Sequence, residues 1–143
     1  VAGVIFQPFV GEAGCGTVTC GAVGVGVFGD KSPSAANLEN NKGADETQLL
    51  IVTNQKGADS PFFQAAIKHL GEPRPRIVIT SASGQKLLRV LRREADACIV
   101  GAGPSRWDSC AAEALLLTLG GQVTDLEGRS YNYAQGAADY ENS

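Results

Sequence analysis

An α/β sandwich built on a central sheet is the fold this sequence predicts, and three observations predict it. Short apolar runs rich in valine and isoleucine recur along the 143 residues. Segments with helical apolar spacing separate them, and the joints between carry Gly, Pro, Ser and Asn. A chain of this length forms one domain with a core of useful size.

The elements follow in order. Val4-Ile5-Phe6 reads as a buried strand stopped by Pro8, and Gly21–Gly29 alternates glycine with valine, as a strand with one nearly bare face would. Residues 30–47 are polar, lack periodicity and read as a surface insertion. Leu49–Thr53 resumes as a strand. Ser60-Pro61 opens a helix with Phe62, Phe63, Ala66, Ile67 and Leu70 on one face, ended by Gly71. After the strand Ile77–Thr80, Ser83 caps a second helix whose apolar side is Leu87, Leu88, Val90 and Leu91. Ala97–Val100 is a strand, Asp108 stands at the mouth of a third helix, and Gln122–Thr124 and Tyr131–Tyr133 read as short strands. Val1 already lies in a strand, so the expectation is a piece of a longer protein.

Composition excludes several classes. The net charge of −3 and the lack of a basic stripe argue against a nucleic-acid polymer as partner. No run approaches the ~18 apolar residues of a membrane span. Cys15, Cys20, Cys98 and Cys110 lack zinc or redox spacing, and His69 is the only histidine, which leaves no zinc site or Ser-His-Asp machinery. Cys98 and Cys110 read as buried free thiols of a reducing, cytoplasmic compartment. Gly24-x-Gly26-x-x-Gly29 has dinucleotide-binding spacing, but Asp30-Lys31-Ser32-Pro33 follows where a helix would have to begin.

In such folds ligands gather at loops beyond strand ends and at helix N-termini. That directs attention to Thr53–Lys56, Ser81–Lys86 and Gly101–Asp108. Lys86 lies early in its helix, where the dipole favours anions over cations. It is either an exposed lysine at a small cost, or part of an anion site with Ser83 and the helix N-terminus. Asp108 is either a helix cap or a ligand, and the small residues after it, through Ala112, suit a close approach.

Trp107-Asp108-Ser109-Cys110-Ala111-Ala112, the apolar run to Leu117 and Gly120-Gly121 resemble the second signature of the inositol monophosphatase-like family of Mg²⁺-dependent, lithium-sensitive phosphatases. Gly3-Val4-Ile5-Phe6-Gln7-Pro8, Ser83-x-x-Lys86, and Thr124-Asp125 with Gly128 extend the likeness to the branch of 3'(2'),5'-bisphosphate nucleotidases and inositol polyphosphate 1-phosphatases. The resemblance implies the C-terminal α/β sandwich domain of that fold, with a mostly parallel central sheet flanked by helices. It also implies that residues 1–143 are the C-terminal domain of a longer phosphatase whose N-terminal half is a partner.

The implied site has Asp108 as a Mg²⁺ ligand, with Ser83, Lys86 and Thr53 binding a small phosphate ester. The family's Asp-Pro-x-Asp metal loop does not occur in this chain, so the fragment alone is expected to be inactive. The implied reaction is hydrolysis of 3'-phosphoadenosine 5'-phosphate to AMP. Asn54-Gln55-Lys56 and Val100 depart from the nucleotidase pattern, and Ser109-Cys110-Ala111-Ala112 is close to the inositol polyphosphate version. Inositol 1,4-bisphosphate is therefore the alternative substrate, and an inactive phospholigand-binding module the second alternative.

Overall fold

The computed structural model describes residues 1–10, 14–29, 48–101 and 105–133. The polar stretch 30–47 thus lies outside the described residues. Strands β1 (Ala2–Gln7), β2 (Thr17–Ala22) and β3 (Gly26–Gly29) form an antiparallel meander in that order. Strands β4 (Leu50–Thr53), β5 (Arg76–Ile79) and β6 (Ala97–Cys98) form a parallel sheet in the order β5-β4-β6. The helices are α1 (Gln55–Ala58), α2 (Pro61–His69), α3 (Ser83–Leu91) and α4 (Arg106–Thr118).

The architecture is α/β, as expected, but its strands are divided between two sheets. Gly21–Gly29 is a hairpin rather than one strand. Gly24, at φ +82°, turns the chain, and the Val25 N–H closes onto the Ala22 carbonyl at 3.0 Å. The bare face was legible. Gly3 pairs with Gly21 across β1 and β2, and both lie beneath α4. A Cβ on Gly3 would stand 2.2 Å from the Ala111 carbonyl oxygen, so strand and helix backbones meet directly. The small residues that follow Asp108 are accounted for by this packing.

Alternation of side chains across a strand sorts the core into two clusters. Leu87, Leu88 and Leu91 of α3 meet Ala112, Leu115 and Leu116 of α4, with Ile5, Val27 and Cys98 against them. Across the parallel sheet, Ile51, Ala58 and Phe63 pack with Ile67, Ile77, Ala97 and Ile99. Ala97 and Ile99 face one cluster and Cys98 the other, so α2 and α3 cover opposite faces of the sheet. Helices α3 and α4 also pack on each other, with α4 against β1–β3 and α3 against β4 and β6. The two sheets therefore enclose a helical layer.

Several expected faces differ. Helix α2 starts as predicted, with the Ser60 side chain capping the Phe63 N–H at 3.1 Å and Pro61 in the first position. Only Phe63 is fully buried, however; Phe62 and Leu70 are exposed because α2 covers the sheet with a narrower stripe. Val4 and Phe6 are exposed on β1, since their strand buries only its alternate side. Tyr131–Tyr133 is not a strand. Thr124 and Ser130 form an isolated antiparallel bridge, and the chain beyond it turns onto α4. Cys110 is exposed, on the side of α4 away from its buried stripe.

Candidate functional site

Parallel strands deliver their carboxyl ends to one edge, and three of the chain's polar loops begin there. Thr53 closes β4, and its carbonyl accepts the Thr80 N–H at 2.8 Å, just beyond β5. The Ile99 N–H reaches the Val52 carbonyl at 3.1 Å, which sets the end of β6 beside that of β4. Because α2 and α3 cover opposite faces, the connections diverge at this edge, and such a divergence opens a crevice outside the strand ends.

Thr53 sits in that edge with no exposed surface, and its Oγ1 is buried without a hydrogen-bond partner among the described residues. A buried hydroxyl normally finds a partner, so an orphan one at a strand end is notable. Asn54 next caps α1, its Oδ1 accepting the Gly57 N–H at 2.6 Å. A side chain on Gly57 would strike both Asn54 Oδ1 and Thr53 Oγ1, each 2.7 Å from the added carbon. Sequence reading took Thr53–Lys56 as loop and missed this short helix. Asparagine three residues before the capped glycine was the available signal.

Helix α3 begins at the same edge. Its N-cap is Ala82 rather than Ser83, which becomes the first helical residue and is half-buried. Ala82 offers no side-chain acceptor, and the first turn holds no acid. The helix thus presents N–H groups and positive dipole with nothing of its own to meet them. Lys86, one turn in, adds a full positive charge and is completely buried. Among the described residues no carboxylate pairs with it. The Lys86 ammonium acts on Cys98, favouring its thiolate, but burial dominates and pushes the Cys98 thiol up to about 11. Cys98 is thus an inert thiol, as its apolar setting implies.

Helix α4 is arranged in the opposite sense. Ser105 is its N-cap, and Ser105 and Asp108 close a reciprocal capping box in which Asp108 Oδ2 accepts the Ser105 N–H at 3.1 Å. The sequence reading had placed Asp108 at the cap itself; the Ser105-x-x-Asp108 spacing was the sign of the box. Asp108 is exposed, and among the described residues no hydrogen bond is made by its second carboxylate oxygen.

The structure brings Thr53 and the start of α3 to one edge. No hydrogen bond or ion pair among the described residues links Asp108 to Thr53, Ser83 or Lys86. Likewise, no three His, Cys, Asp or Glu side chains cluster as a metal site among them. Asp108 alone offers one hard oxygen donor where Mg²⁺ takes six ligands, so it suits the ion only as one member of a larger set.

One residue group was missed. Ser109 and Glu113, successive on one face of α4, are 5% and 6% exposed, and both reach the hydroxyl of Tyr133. An acid inside the run Ala111-Ala112-Glu113-Ala114-Leu115 was the sequence signal. Burial first, then the hydrogen bond to Glu113, push the Tyr133 phenol well above its ordinary value.

Comparison with known proteins gives a consistent picture. A sequence profile described as the inositol monophosphatase family matches residues 1–143. The chain is 25% identical to "3'(2'),5'-bisphosphate nucleotidase 1" of Mus musculus over 142 residues, covering 93% of this chain and 41% of that protein. It is 26% identical to the Dictyostelium discoideum protein of the same name, covering 99% of this chain and 46% of the relative. The chain thus spans less than half the length of these relatives. Among solved structures, a staphylococcal IMPase-II shares the fold with a TM-score of 0.68 at 16% identity, over 93% of this chain and 48% of that one.

Proposed function

The chain belongs to the inositol monophosphatase family, and from that premise we propose that it is the C-terminal domain of a Mg²⁺-dependent phosphomonoesterase that removes the 3'-phosphate of 3'-phosphoadenosine 5'-phosphate, leaving AMP. The observation that carries the phosphate reading is Lys86, a wholly buried cation in the first turns of a helix without an N-terminal acid or a side-chain cap. A buried charge with no counter-charge among the described residues is costly. An anion seated at this helix end would satisfy the ammonium, the free N–H groups and the Ser83 hydroxyl together. Thr53 Oγ1, buried and without a partner among the described residues, supplies a further donor at the same edge. These groups hold the phosphate that is not cut.

Asp108 contributes one oxygen to the metal centre, and its box with Ser105 fixes the direction of the carboxylate. Mg²⁺, when bound, lowers the pKa of attacking water and offsets charge on the scissile phosphate. The remaining ligands come from the N-terminal half, which the relatives' greater length supports. The surface that receives that half is the outer face of the meander. Val4, Phe6, Val18 and Phe28 project there, 63%, 58%, 45% and 56% exposed, as neighbours across the register. Contiguous apolar surface of this kind marks an interface. Val25 is 69% exposed at the hairpin tip, whereas Val27 packs inward against the core. The free cysteines suit a cytoplasmic setting.

The nucleotidase relatives favour the nucleotide; the Ser109-Cys110-Ala111-Ala112 run favours inositol 1,4-bisphosphate as the second reading. The test is phosphate release by the complete protein on both substrates, with and without Mg²⁺. Mg²⁺-dependent turnover faster on the nucleotide is the expected result. The reverse order would assign inositol polyphosphate. Binding without turnover, with the upstream carboxylates in place, would reduce the domain to a ligand-binding module.

A further inference from the structure

Glu113 is an anomaly of α4. It is 6% exposed, on a helix whose neighbouring residues Ala112, Ala114, Leu115 and Leu116 are all core. A carboxylate in such a place requires a strong donor. The donor comes from outside the helix, and from far along the chain. After α4 ends, Asp125 organises a tight return by accepting the backbone N–H groups of Glu127 and Arg129, each at 2.9 Å, and the Arg129 Nε at 2.7 Å. Thr124 then bridges Ser130, and Tyr133 lands back on the first half of α4.

Its hydroxyl donates to Glu113 Oε2 and lies 3.1 Å from Ser109 Oγ, whose single proton has the phenol oxygen and the Arg106 carbonyl, 3.3 Å away, as alternative acceptors. With the Tyr133 proton directed to Glu113, the phenol oxygen is left to accept from Ser109. A directed chain, Ser109 to Tyr133 to Glu113, therefore straps one turn of α4. Ser109 follows Asp108 immediately. A helix fixed at 109 and 113 cannot turn about its axis without breaking these bonds, so the strap fixes the rotation of the helix that carries the Asp108 carboxylate and its box.

We propose that Tyr133 is a positioning residue for Asp108, holding the first turns of α4 in the rotation that aims its carboxylate at the metal. The inference rests on the reading of Asp108 as a Mg²⁺ ligand. Tyr133 touches neither substrate nor metal; it acts through Ser109 and Glu113.

The experiment is a Mg²⁺ titration of turnover in the complete protein. Tyr133→Phe should raise the Mg²⁺ half-saturation concentration about tenfold, the scale of losing a group that orients a ligand. At saturating Mg²⁺, kcat should stay within about twofold and the substrate KM should not move. The double variant Tyr133→Phe/Glu113→Gln removes the charge stranded in the core, and guards against simple misfolding; it should show the same rise. If the Tyr133 variants lose thermal stability with Mg²⁺ half-saturation unchanged, the tyrosine is merely structural and the proposal fails. Asp108→Asn in the same titration separates the premise: if it titrates like the wild type, the metal reading of Asp108 itself fails.

Discussion

The N-termini of α3 and α4 are built from opposite chemistry. Helix α3 opens on Ala82 with no cap, no acid and a buried lysine one turn in, whereas α4 opens on Ser105 with a closed box and Asp108 in its first turn. Helix dipoles make both ends mildly positive. At α4 the sequence answers that charge internally; at α3 it adds to it. The difference teaches which end can accept which ligand. An end already satisfied by its own carboxylate can extend that carboxylate to a cation, while an unanswered end with a sequestered ammonium suits an anion.

The contrast can be broken most severely at α4. Asp108→Asn keeps an oxygen for the box, so stability should change by about 1 kcal/mol or less. On the proposed metal reading, losing the Asp108 donor forfeits several kcal/mol of transition-state stabilisation, so kcat in the complete protein should fall at least ~100-fold. Steady-state kinetics paired with thermal melting decides it: a large stability loss with intact turnover would make the box the residue's whole role.

Next is Lys86→Met. A charge-assisted hydrogen bond contributes about 1.5–3 kcal/mol, so KM should rise roughly 10–150-fold while the melting temperature holds or increases, because the buried charge is gone. An unchanged KM would leave α3 without its anion. The smallest effect belongs to Thr53→Val, which removes an orphan hydroxyl at nearly constant shape. Stability should rise by about 1 kcal/mol or stay level, and KM should increase by about 2–10-fold. Unaltered KM would remove Thr53 from the site.

Much of this contrast was legible in the chain. Ser60-Pro61 announced a helix start, the glycine-valine run announced a bare sheet face, and Lys86 was visible as a cation at the wrong end of a helix. These are local signals carried by a few adjacent residues. The burial of Lys86 was not local, since it depends on how α3 settles against the parallel sheet. Nor was the hairpin at Gly24, where alternating small and branched residues suit one strand as well as two. Tyr133 was read as part of a short strand because its partners lie 20 and 24 residues upstream. Asp108 was half legible: its place at the start of the helix could be read, but it was taken as the cap itself, whereas Ser105 is the cap and Asp108 closes the box from the first turn.

Gly3 carries a consequence for how sequences of this kind can drift. Most core contacts are negotiable, because one side chain shrinks as its neighbour grows. Where the Ala111 carbonyl meets Gly3, no side chain is present to trade. An alanine at position 3 could be accommodated only by moving a 13-residue helix bodily, and the Asp108 carboxylate, three residues before Ala111, would move with it. Loops at the carboxyl edge of the parallel sheet can be remodelled one residue at a time. The spacing beneath α4 admits no such gradual path, so new specificities are cheaper to reach through the loops than through the helix.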